Sequence, residues 1–413
     1  MDQFQEGDYV EVKTKKGTFR GILLPKPKFE EENIVILKLD NGYNVGIIPE
    51  SIKLIKKRVS KEIARKKVID SRKKDLKTVS IIGTGGTIAS YVDYRTGAVH
   101  PAMSADDFVF AVPEIVNEAN IRARLVFNIL SENMKPQHWI EIAKAVKDEI
   151  EKSDGIVIPH GTDTMSYTAA ALSFMFESLS APVILVGSQR SSDRPSSDAY
   201  LNLISAVKVA KSDLGEVAVV MHATSNDDVC HIHRGTRVRK MHTSRRDAFE
   251  SVNSKPLGEV SNKGVKFFGN YRKKGETTYL KEKLDPKVSL IYYYPGMNPE
   301  LVEKLLEGMH GAIIMGTGLG HVSTEILPVL KDKIKDGVII GMTSQCIYGR
   351  VNLNVYSTGR ELLHAGVIPL EDMLPEVAYV KLMWLLGNYS PEEARILMKK
   401  NLRGEIEKRR FLV

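Results

Sequence analysis

Two short segments combine glycines and threonines in a way that suits nucleophilic chemistry. The first reads Gly-Thr-Gly-Gly-Thr-Ile at 83–88, and the second reads Pro-His-Gly-Thr-Asp-Thr at 159–164. Each follows an apolar run that predicts a strand. Backbone amides in a glycine turn can face an oxyanion, and a hydroxyl at the same turn can reach a bound carbonyl carbon. The two turns therefore predict a site for acyl chemistry.

Nucleotide binding is an alternative interpretation of the glycine-rich segments. A dinucleotide fingerprint needs its third glycine at position 88, where Ile88 stands, and a P-loop needs Gly-Lys-Ser/Thr, which is absent. The series Gly316, Gly318 and Gly320 fails in the same way. One threonine turn alone could be a helix N-cap. Two such turns, each after a strand and each with Thr beside Gly, favour a site.

Several segments carry a resemblance to a known family. They are Thr-Gly-Gly-Thr-Ile-Ala at 84–89, Ile-Leu-Ser-Glu-Asn-Met at 129–134, His-Gly-Thr-Asp-Thr-Met at 160–165, Val-Gly-Ser-Gln-Arg at 186–190 with Asp198, and the stretch 372–386. From about Lys77 to the C terminus, the sequence resembles the bacterial-type asparaginase and glutaminase family. The resemblance implies a two-domain α/β fold, with a larger parallel-sheet domain and a smaller C-terminal α/β domain.

The resemblance also implies roles for single residues. It makes Thr84 the nucleophile, Thr162 and Asp163 the pair of the second motif, and Lys240 the family lysine. A threonine hydroxyl is a weak nucleophile unless a base takes its proton, and a buried lysine can be neutral enough to do so. Asp163 would orient Lys240 and bind the α-ammonium of the substrate. A relay in which Thr162 attacks, assisted by Lys240 and Asp163, stays open.

Three further residues are expected to bind the substrate. Ser131 matches the family position that holds the α-carboxylate, and Tyr94 is the candidate for a tyrosine on a mobile lid. Glu132 departs from the glutamine common in free-standing asparaginases. An acid at this position would bind the α-ammonium, or would help to exclude free amino acids until a partner is ready.

The implied reaction is acyl transfer onto the enzyme. Thr84 attacks the side-chain amide, ammonia leaves, and water then releases glutamate from the ester. Amides of the glycine turns, or the Thr162 hydroxyl and its backbone, would stabilise the oxyanion. The histidine and cysteine residues His222, Cys230, His231, His233 and His242 lack a regular zinc spacing, so no metal is predicted. His160 is expected to pack the second turn and not to act as a base.

The apolar pattern predicts the elements that place these residues. From 77 onward, apolar strands alternate with turns and amphipathic helices, which is typical of a parallel sheet with crossover helices. In such sheets, chemistry lies outside the carboxyl ends of the strands, where Thr84, Ser131, Thr162 and Ser188 would fall. Strands are predicted at 78–82, 121–129, 155–158, 182–186 and 217–221, helices around 136–150 and 166–177, a polar connection near 262–285, and further strands at 287–294, 311–315 and 338–342.

The N-terminal part has a different pattern. Short strands are predicted at 8–13, 18–24, 34–39 and 43–48, with a hairpin turn at Asn41-Gly42. They indicate a small all-β barrel of SH3-like or Sm-like type. The basic stretch 53–77 predicts a solvated, partly helical linker, with contact to RNA or a partner as the alternative. The expected domains are a barrel at 1–58, a linker at 59–76, and α/β domains at 77–280 and 286–413.

Composition sets limits on the class of protein. The chain has 413 residues, a formal net charge of +8 and two cysteines without a C-x-x-C spacing. A disulfide framework has no support, and a reducing compartment fits. No signal segment and no apolar run of membrane-spanning length are present, so we expect a soluble cytoplasmic protein without a membrane partner.

Three functional hypotheses remain from the sequence. With the barrel added, the chain resembles an ammonia-supplying subunit of a tRNA-dependent amidotransferase, which would use glutamine and act with a separate kinase and transferase subunit on Glu-tRNA(Gln). No cofactor is expected in this chain, and ATP and magnesium would bind the partner subunit. The alternatives are a free-standing cytosolic asparaginase or glutaminase and an inactive RNA-binding adaptor; the set Thr84, Thr162, Asp163 and Lys240 argues against the last. The family resemblance also implies a homodimer.

Overall fold

The computed structural model describes most of the chain. The described residues are 4, 8–24, 34–39, 44–57, 75–85, 91–92, 99–100, 112, 114–190 and 197–408. Tyr94, the Asn41-Gly42 turn and most of the predicted linker at 59–76 lie outside these residues.

The N-terminal region is an antiparallel sheet with a core of its own, as the barrel prediction requires. Its strands are β1 (Tyr9–Thr14), β2 (Gly17–Leu24), β3 (Val35–Leu39), β4 (Asn44–Ile47) and β5 (Ser51–Lys56), in the order β4-β3-β2-β1-β5. Alternation along β1 buries Val10 and Val12, which pack with Leu37 and Ile47. The strand β5 was not predicted, because its lysines resemble the basic linker that follows; its Ile52 and Leu54 pack on this core.

The next sheet contains the predicted parallel strands and is extended at one side by antiparallel strands. It runs in the order β18-β17-β14-β13-β12-β10-β6-β9. The pairs from β9 to β13 are parallel, whereas β14, β17 and β18 extend the sheet in antiparallel fashion. The strands of this sheet are β6 (Thr78–Gly83), β9 (Asn120–Leu125), β10 (Gly155–Pro159), β12 (Val183–Val186), β13 (Val217–His222), β14 (Cys230–Arg234), β17 (Gly258–Ser261) and β18 (Gly264–Phe267). The strands between them in sequence that belong to two-stranded sheets are β7 (Tyr91–Val92), β8 (Val99–His100), β11 (Phe176–Ser178), β15 (Val238–Lys240) and β16 (Phe249–Ser251).

Helices cover this sheet through their apolar faces. They are α1 (Ile115–Glu118), α2 (Pro136–Ile150), α3 (Met165–Met175) and α4 (Ala199–Ala210). The helix α2 begins with a proline in its first turn and buries Trp139, Ile142 and Val146 along one stripe. Its bounds match the prediction. The predicted helix at 166–177 ends earlier, because Phe176 and Ser178 pair with β19 (Tyr279–Leu280) in a small antiparallel sheet.

A four-stranded parallel sheet forms the C-terminal α/β unit. Its order is β20-β21-β22-β23, with β20 (Val288–Tyr292), β21 (Gly311–Gly316), β22 (Ile339–Ser344) and β23 (Ile368–Pro369). Its helices are α5 (Pro299–Leu306), α6 (Leu327–Lys335), α7 (Ser357–Ala365), α8 (Pro375–Asn388) and α9 (Pro391–Met398). The stretch 262–285, predicted to be a connection only, contributes β18 and β19.

One apolar core joins the two α/β units. It contains Ile82 of β6 and Leu382 of α8 together, and the Phe174 ring of α3 stacks on Trp384 with centroids 6.0 Å apart. Burial of large aromatic surface is a main source of packing energy. The pairing of α3 with α8 therefore holds the C-terminal sheet against the helix that follows the second threonine turn. Within the described residues, we find no helix with the length and apolar character needed to span a membrane.

Candidate active site

The first turn places Thr84 directly after the buried strand β6. Thr84 is 2% exposed, and its hydroxyl donates a hydrogen bond of 2.8 Å to the carbonyl of Pro159, the last residue of β10. Gly85 has a φ of 106°, and a Cβ there would stand 2.4 Å from the carbonyl oxygen of Ile129. Only glycine allows this approach, so the first turn packs closely on the segment that leads to Ser131.

The second turn brings three of the predicted residues together. The Lys240 Nζ lies 2.9 Å from Thr162 Oγ1 and 2.7 Å from Asp163 Oδ1. The lysine side chain is 13% exposed and the aspartate side chain 66% exposed, so the pair stands at the edge of the protein interior. Residues 78 positions apart in sequence thus form a hydroxyl, amine and carboxylate relay.

Among the residues that the structure describes, Lys240 hydrogen-bonds Thr162, and the Thr84 hydroxyl has a different partner. The proton of the Thr84 hydroxyl is engaged by Pro159 O, while the Lys240 ammonium contacts the second turn. From the sequence, Lys240 was a candidate base for Thr84, and a relay to Thr162 stayed open. The hydroxyl within hydrogen-bond distance of Lys240 Nζ is that of Thr162.

The third predicted segment lies against both turns. Ser131 is 5% exposed, and its carbonyl accepts a hydrogen bond of 2.7 Å from Thr164 Oγ1. A Cβ on Gly161 would lie 2.7 Å from the Ser131 Cβ and 2.9 Å from its Oγ. Ser131 is therefore held against the second turn. Glu132 follows it on the exposed side of a 3-10 helix, Ser131–Asn133, whereas Tyr94 lies outside the described residues.

His160 is a buried, neutral residue that packs in the second turn. Its Nδ1 lies 2.7 Å from Gly161 O, and its Nε2 lies 2.8 Å from Thr168 Oγ1, which also accepts from Trp139 Nε1. This arrangement gives a consistent assignment: Nδ1–H donates to the carbonyl, and the threonine hydroxyl donates to Nε2. Burial lowers the pKa of His160 from 6.5 to about 4, so the ring stays uncharged at neutral pH.

A buried polar network behind the loop after β12 was not predicted as a unit. Asp198 is fully buried and accepts from the backbone amides of Gln189 and Arg190, each at 2.9 Å. Asn202 donates to Asp198 Oδ2 and to Gly187 O, both at 3.0 Å. Asp198 is part of the segments that resemble the family. Nothing in the sequence pattern indicated a role for Asn202, because that role depends on tertiary contacts.

The histidines considered for a metal have other partners. His222 contacts Asn202 Oδ1 at 2.6 Å and Asp227 Oδ1 at 3.1 Å, and His233 Nδ1 lies 2.8 Å from Ser251 Oγ. Burial raises the pKa of the Cys230 thiol to about 12, which disfavours the thiolate that metals bind. In the part of the chain that the structure describes, no group of three or more His, Cys, Asp or Glu residues is arranged to hold a metal.

Comparison with known families covers nearly the whole chain. The model described as "Asparaginase, N-terminal" matches residues 78–273, the "Glutaminase/Asparaginase C-terminal domain" matches 287–398, and the "GatD N-terminal domain" matches 4–57. The two asparaginase models together span the threonine turns and Lys240. The class defined by the fold and site is therefore that of the asparaginases.

Sequence relatives define the branch of this class. The D subunit of glutamyl-tRNA(Gln) amidotransferase from Pyrococcus furiosus is 52% identical over 97% of this chain and 94% of its own length. Its counterpart from Methanothermobacter thermautotrophicus is also 52% identical, over 98% of this chain and 94% of its own length. The chain belongs to the GatD family, the D subunits of glutamyl-tRNA(Gln) amidotransferase.

Two solved structures of L-asparaginases are similar to this chain. The thermostable L-asparaginase from Thermococcus kodakarensis is 35% identical with a TM-score of 0.74, covering 80% of this chain and 100% of that one. L-asparaginase I from Vibrio cholerae is 33% identical with a TM-score of 0.70, and the match covers 80% of this chain and 99% of that one. About a fifth of this chain thus has no counterpart in these enzymes.

The contact between Gly161 and Ser131 leads to a first prediction. The Gly161→Ala variant should lower kcat/KM for amide hydrolysis roughly tenfold to a hundredfold, because the added methyl group displaces Ser131 or the second turn. Ammonia release measured against substrate concentration tests it. Gly269→Ala is the matched control, since a Cβ there meets nothing within 4 Å and should change little. Unchanged kcat/KM in both variants would contradict the packing described.

The buried His160 predicts a dependence of stability on pH. Its pKa is about 4 in the fold and about 6.5 in the unfolded chain, so the unfolded state binds more protons between these values. This contribution is fully present above pH 6.5 and is lost as the pH falls toward 4, by about 3 kcal/mol in total.

Urea unfolding of the wild type and of His160→Gln at several pH values between about 7 and 4.5 measures this effect. The glutamine variant should show a shallower loss of unfolding free energy with acid, because its neutral side chain does not titrate. Parallel pH dependences in the two proteins would exclude a neutral, buried His160.

Proposed function

We propose that this chain hydrolyses the side-chain amide of glutamine and supplies ammonia within a glutamyl-tRNA(Gln) amidotransferase. The observation that carries the proposal is the contact of Lys240 with Thr162 and Asp163, beside the turn that bears Thr84. The GatD relatives at 52% identity support the amidotransferase context.

In the proposed reaction, Thr84 is the nucleophile. Its hydroxyl leaves the Pro159 carbonyl, attacks the amide carbon of glutamine and passes its proton through the relay to the departing ammonia. The tetrahedral oxyanion accepts hydrogen bonds from backbone amides of the glycine turns or from Thr162. Water then cleaves the glutamyl ester on Thr84, which releases glutamate and restores the hydroxyl.

Asp163 is proposed to have two partners in the site. In the free site, its Oδ1 lies 2.7 Å from Lys240 Nζ. We propose that Asp163 also binds the α-ammonium of glutamine. The bound α-ammonium would then share the Asp163 carboxylate with Lys240, whose amine is the proposed base.

Substrate positioning is proposed for three residues. Ser131 binds the α-carboxylate, and Glu132, exposed at the start of the 3-10 helix, binds the α-ammonium or restricts entry of free amino acids. Tyr94 closes over the substrate as a lid residue. The close packing of Ser131 on Gly161 supports its place in the site.

The proposed assembly includes several partners. We propose a cytoplasmic homodimer that acts on Glu-tRNA(Gln) with a transferase and kinase partner, the E subunit of the amidotransferase. That partner would bind ATP and magnesium, and this chain would need no cofactor. We also propose the domain division 1–58, 59–76, 77–280 and 286–413, which the ranges of the matched family models, 4–57, 78–273 and 287–398, support.

A free-standing asparaginase or glutaminase is the second candidate. The L-asparaginase structures at 33% and 35% identity favour it, because their whole length aligns with this chain. The match of residues 4–57 to the GatD N-terminal domain favours the amidotransferase assignment instead. Ammonia release from glutamine and asparagine, with and without partner and charged tRNA, separates the two. Rapid asparagine hydrolysis that ignores partner and tRNA would support the free-standing enzyme.

Substitution of Thr84 tests the proposed role directly. Thr84→Ala should lower kcat for ammonia release from glutamine by roughly a thousandfold or more, as loss of a nucleophile does. Thr84→Ser is the matched control, because it keeps the hydroxyl and should retain measurable turnover. Both variants should unfold near the wild-type temperature. A Thr84→Ala protein with wild-type turnover would refute the assignment.

A further inference from the structure

Arg237 is a fully buried cation three residues before Lys240. Its Nε donates to Gly404 O at 2.8 Å, and its Nη1 lies 3.1 Å from Asp372 Oδ2 and 3.3 Å from Asp372 O. Among the described residues, its Nη2 atom has no hydrogen-bond partner. A buried guanidinium with one carboxylate partner depends on that partner, because a buried charge left unpaired is costly.

Asp372 joins three separate parts of the chain. Its carboxylate is 4% exposed and, besides Arg237, accepts the backbone amide of Glu407 at 3.1 Å. Its carbonyl accepts from Asn253 Nδ2 at 3.3 Å, and the same Asn253 exchanges hydrogen bonds with the backbone of Gly349. Asp372 therefore connects the C-terminal sheet, the last described residues of the chain and the strand pair that carries Lys240.

The segment 401–407 covers Arg237 from the other side. Thr236 Oγ1 donates to Arg403 O at 2.9 Å, which places the segment over the residue before Arg237. The segment is held by Glu405, which forms an ion pair of 2.6 Å with Lys381 of α8, and both side chains are 0% exposed. The amides of Leu402 and Arg403 complete the hydrogen bonds of the Glu405 carboxylate.

The strand β15 needs such support because it is short. It pairs with β16 in a two-stranded sheet apart from the eight-stranded one. A two-stranded ribbon is marginal by itself, so packing at its ends decides its position. At one end of β15, the backbone amide of Met241 donates a hydrogen bond to Ala248 O. At the other end, the Arg237 carbonyl accepts a hydrogen bond of 2.8 Å from the Val252 amide, and the Arg237 side chain is held by Gly404 and Asp372.

We propose that Asp372 and the segment 401–407, acting through Arg237, set the position of Lys240 against Thr162 and Asp163. The proposal rests on the proposed glutaminase function, for which Lys240 is the base. Arg237 and Asp372 are positioning residues: they reach the site only through the backbone of β15. The C-terminal end of the described chain is thereby part of the machinery that aligns the amine.

The test compares Asp372→Asn with Glu149→Gln in the full-length chain. Glu149 is a matched control: it is buried, ion-paired with Arg122 at 3.3 Å and hydrogen-bonded to Ser80 of β6, four residues before Thr84. Asp372→Asn should lower kcat for glutamine at least about tenfold with KM within about twofold, whereas Glu149→Gln should keep kcat within about twofold. Backbone amide exchange of residues 238–241 should rise in Asp372→Asn and not in the control.

A double variant, Arg237→Gln with Asp372→Asn, keeps the test decisive if the single one does not fold. It removes both charges and leaves neither unpaired. If Asp372 acts through Arg237, the double variant should have the same kcat as Asp372→Asn, provided that both proteins fold. The kcat of the double variant should in either case be at least about tenfold below that of the wild type. Wild-type kcat in either variant, or an equal loss in Glu149→Gln, would overturn the proposal.

The outcomes also separate this proposal from the proposed function. If the wild-type chain with its partner releases no ammonia from glutamine, the proposed function fails. The amide exchange of residues 238–241 still decides whether Asp372 holds β15, because it does not depend on activity. Unchanged exchange in Asp372→Asn would overturn the positioning role even if the wild type is an active glutaminase.

Discussion

The site depends on the close backbone approach of two glycine turns to one segment. Gly85 meets the carbonyl of Ile129, and Gly161 meets the side chain of Ser131, at distances that exclude a Cβ. Each turn follows a parallel strand of the same sheet, so both arrive at its carboxyl edge. Because the turns share one contact segment, Thr84, Ser131 and Thr162 are held together by packing before any substrate binds.

The side chains at this edge of the sheet are of two kinds, a buried neutral histidine and a more exposed ion pair. His160 is buried, uncharged at neutral pH and hydrogen-bonded to Gly161 O and Thr168, so it supports the second turn from inside. Lys240 and Asp163 stand closer to solvent, where a substrate can exchange partners with them. The second turn therefore has a buried neutral side at His160 and a more exposed, ion-paired side at Lys240 and Asp163.

The local sequence pattern predicts helices and strands in which buried apolar residues recur at a regular spacing. The helix α2 is predicted within its bounds, because its apolar stripe and its first-turn proline are visible in the sequence. The antiparallel strands β14, β17 and β18 were not predicted, since these short segments lack a continuous apolar run. Phe176 and Glu177 of β11 were predicted to be helical, because the pairing of β11 with β19 depends on residues about a hundred positions away.

The residues of the candidate site could also be predicted only in part from the sequence. The family motifs predicted Thr162, Asp163 and Lys240, and the structure brings these three together. They could not predict that the Thr84 hydroxyl is bound to Pro159 O, because that choice of partner depends on the side-chain rotamer. Arg237 and Asp372 were also missed: a buried ion pair across 135 residues leaves no local signal.

We propose that Thr84, and not Thr162, becomes acylated by glutamine. Mixing the amidotransferase complex with glutamine, quenching in acid within milliseconds and mapping the glutamyl ester by peptide mass spectrometry tests it most directly. We predict the ester on the peptide that contains Thr84, with none after Thr84→Ala substitution. An ester on the peptide that contains Thr162 would contradict this claim and make Thr162 the nucleophile of the Lys240 relay.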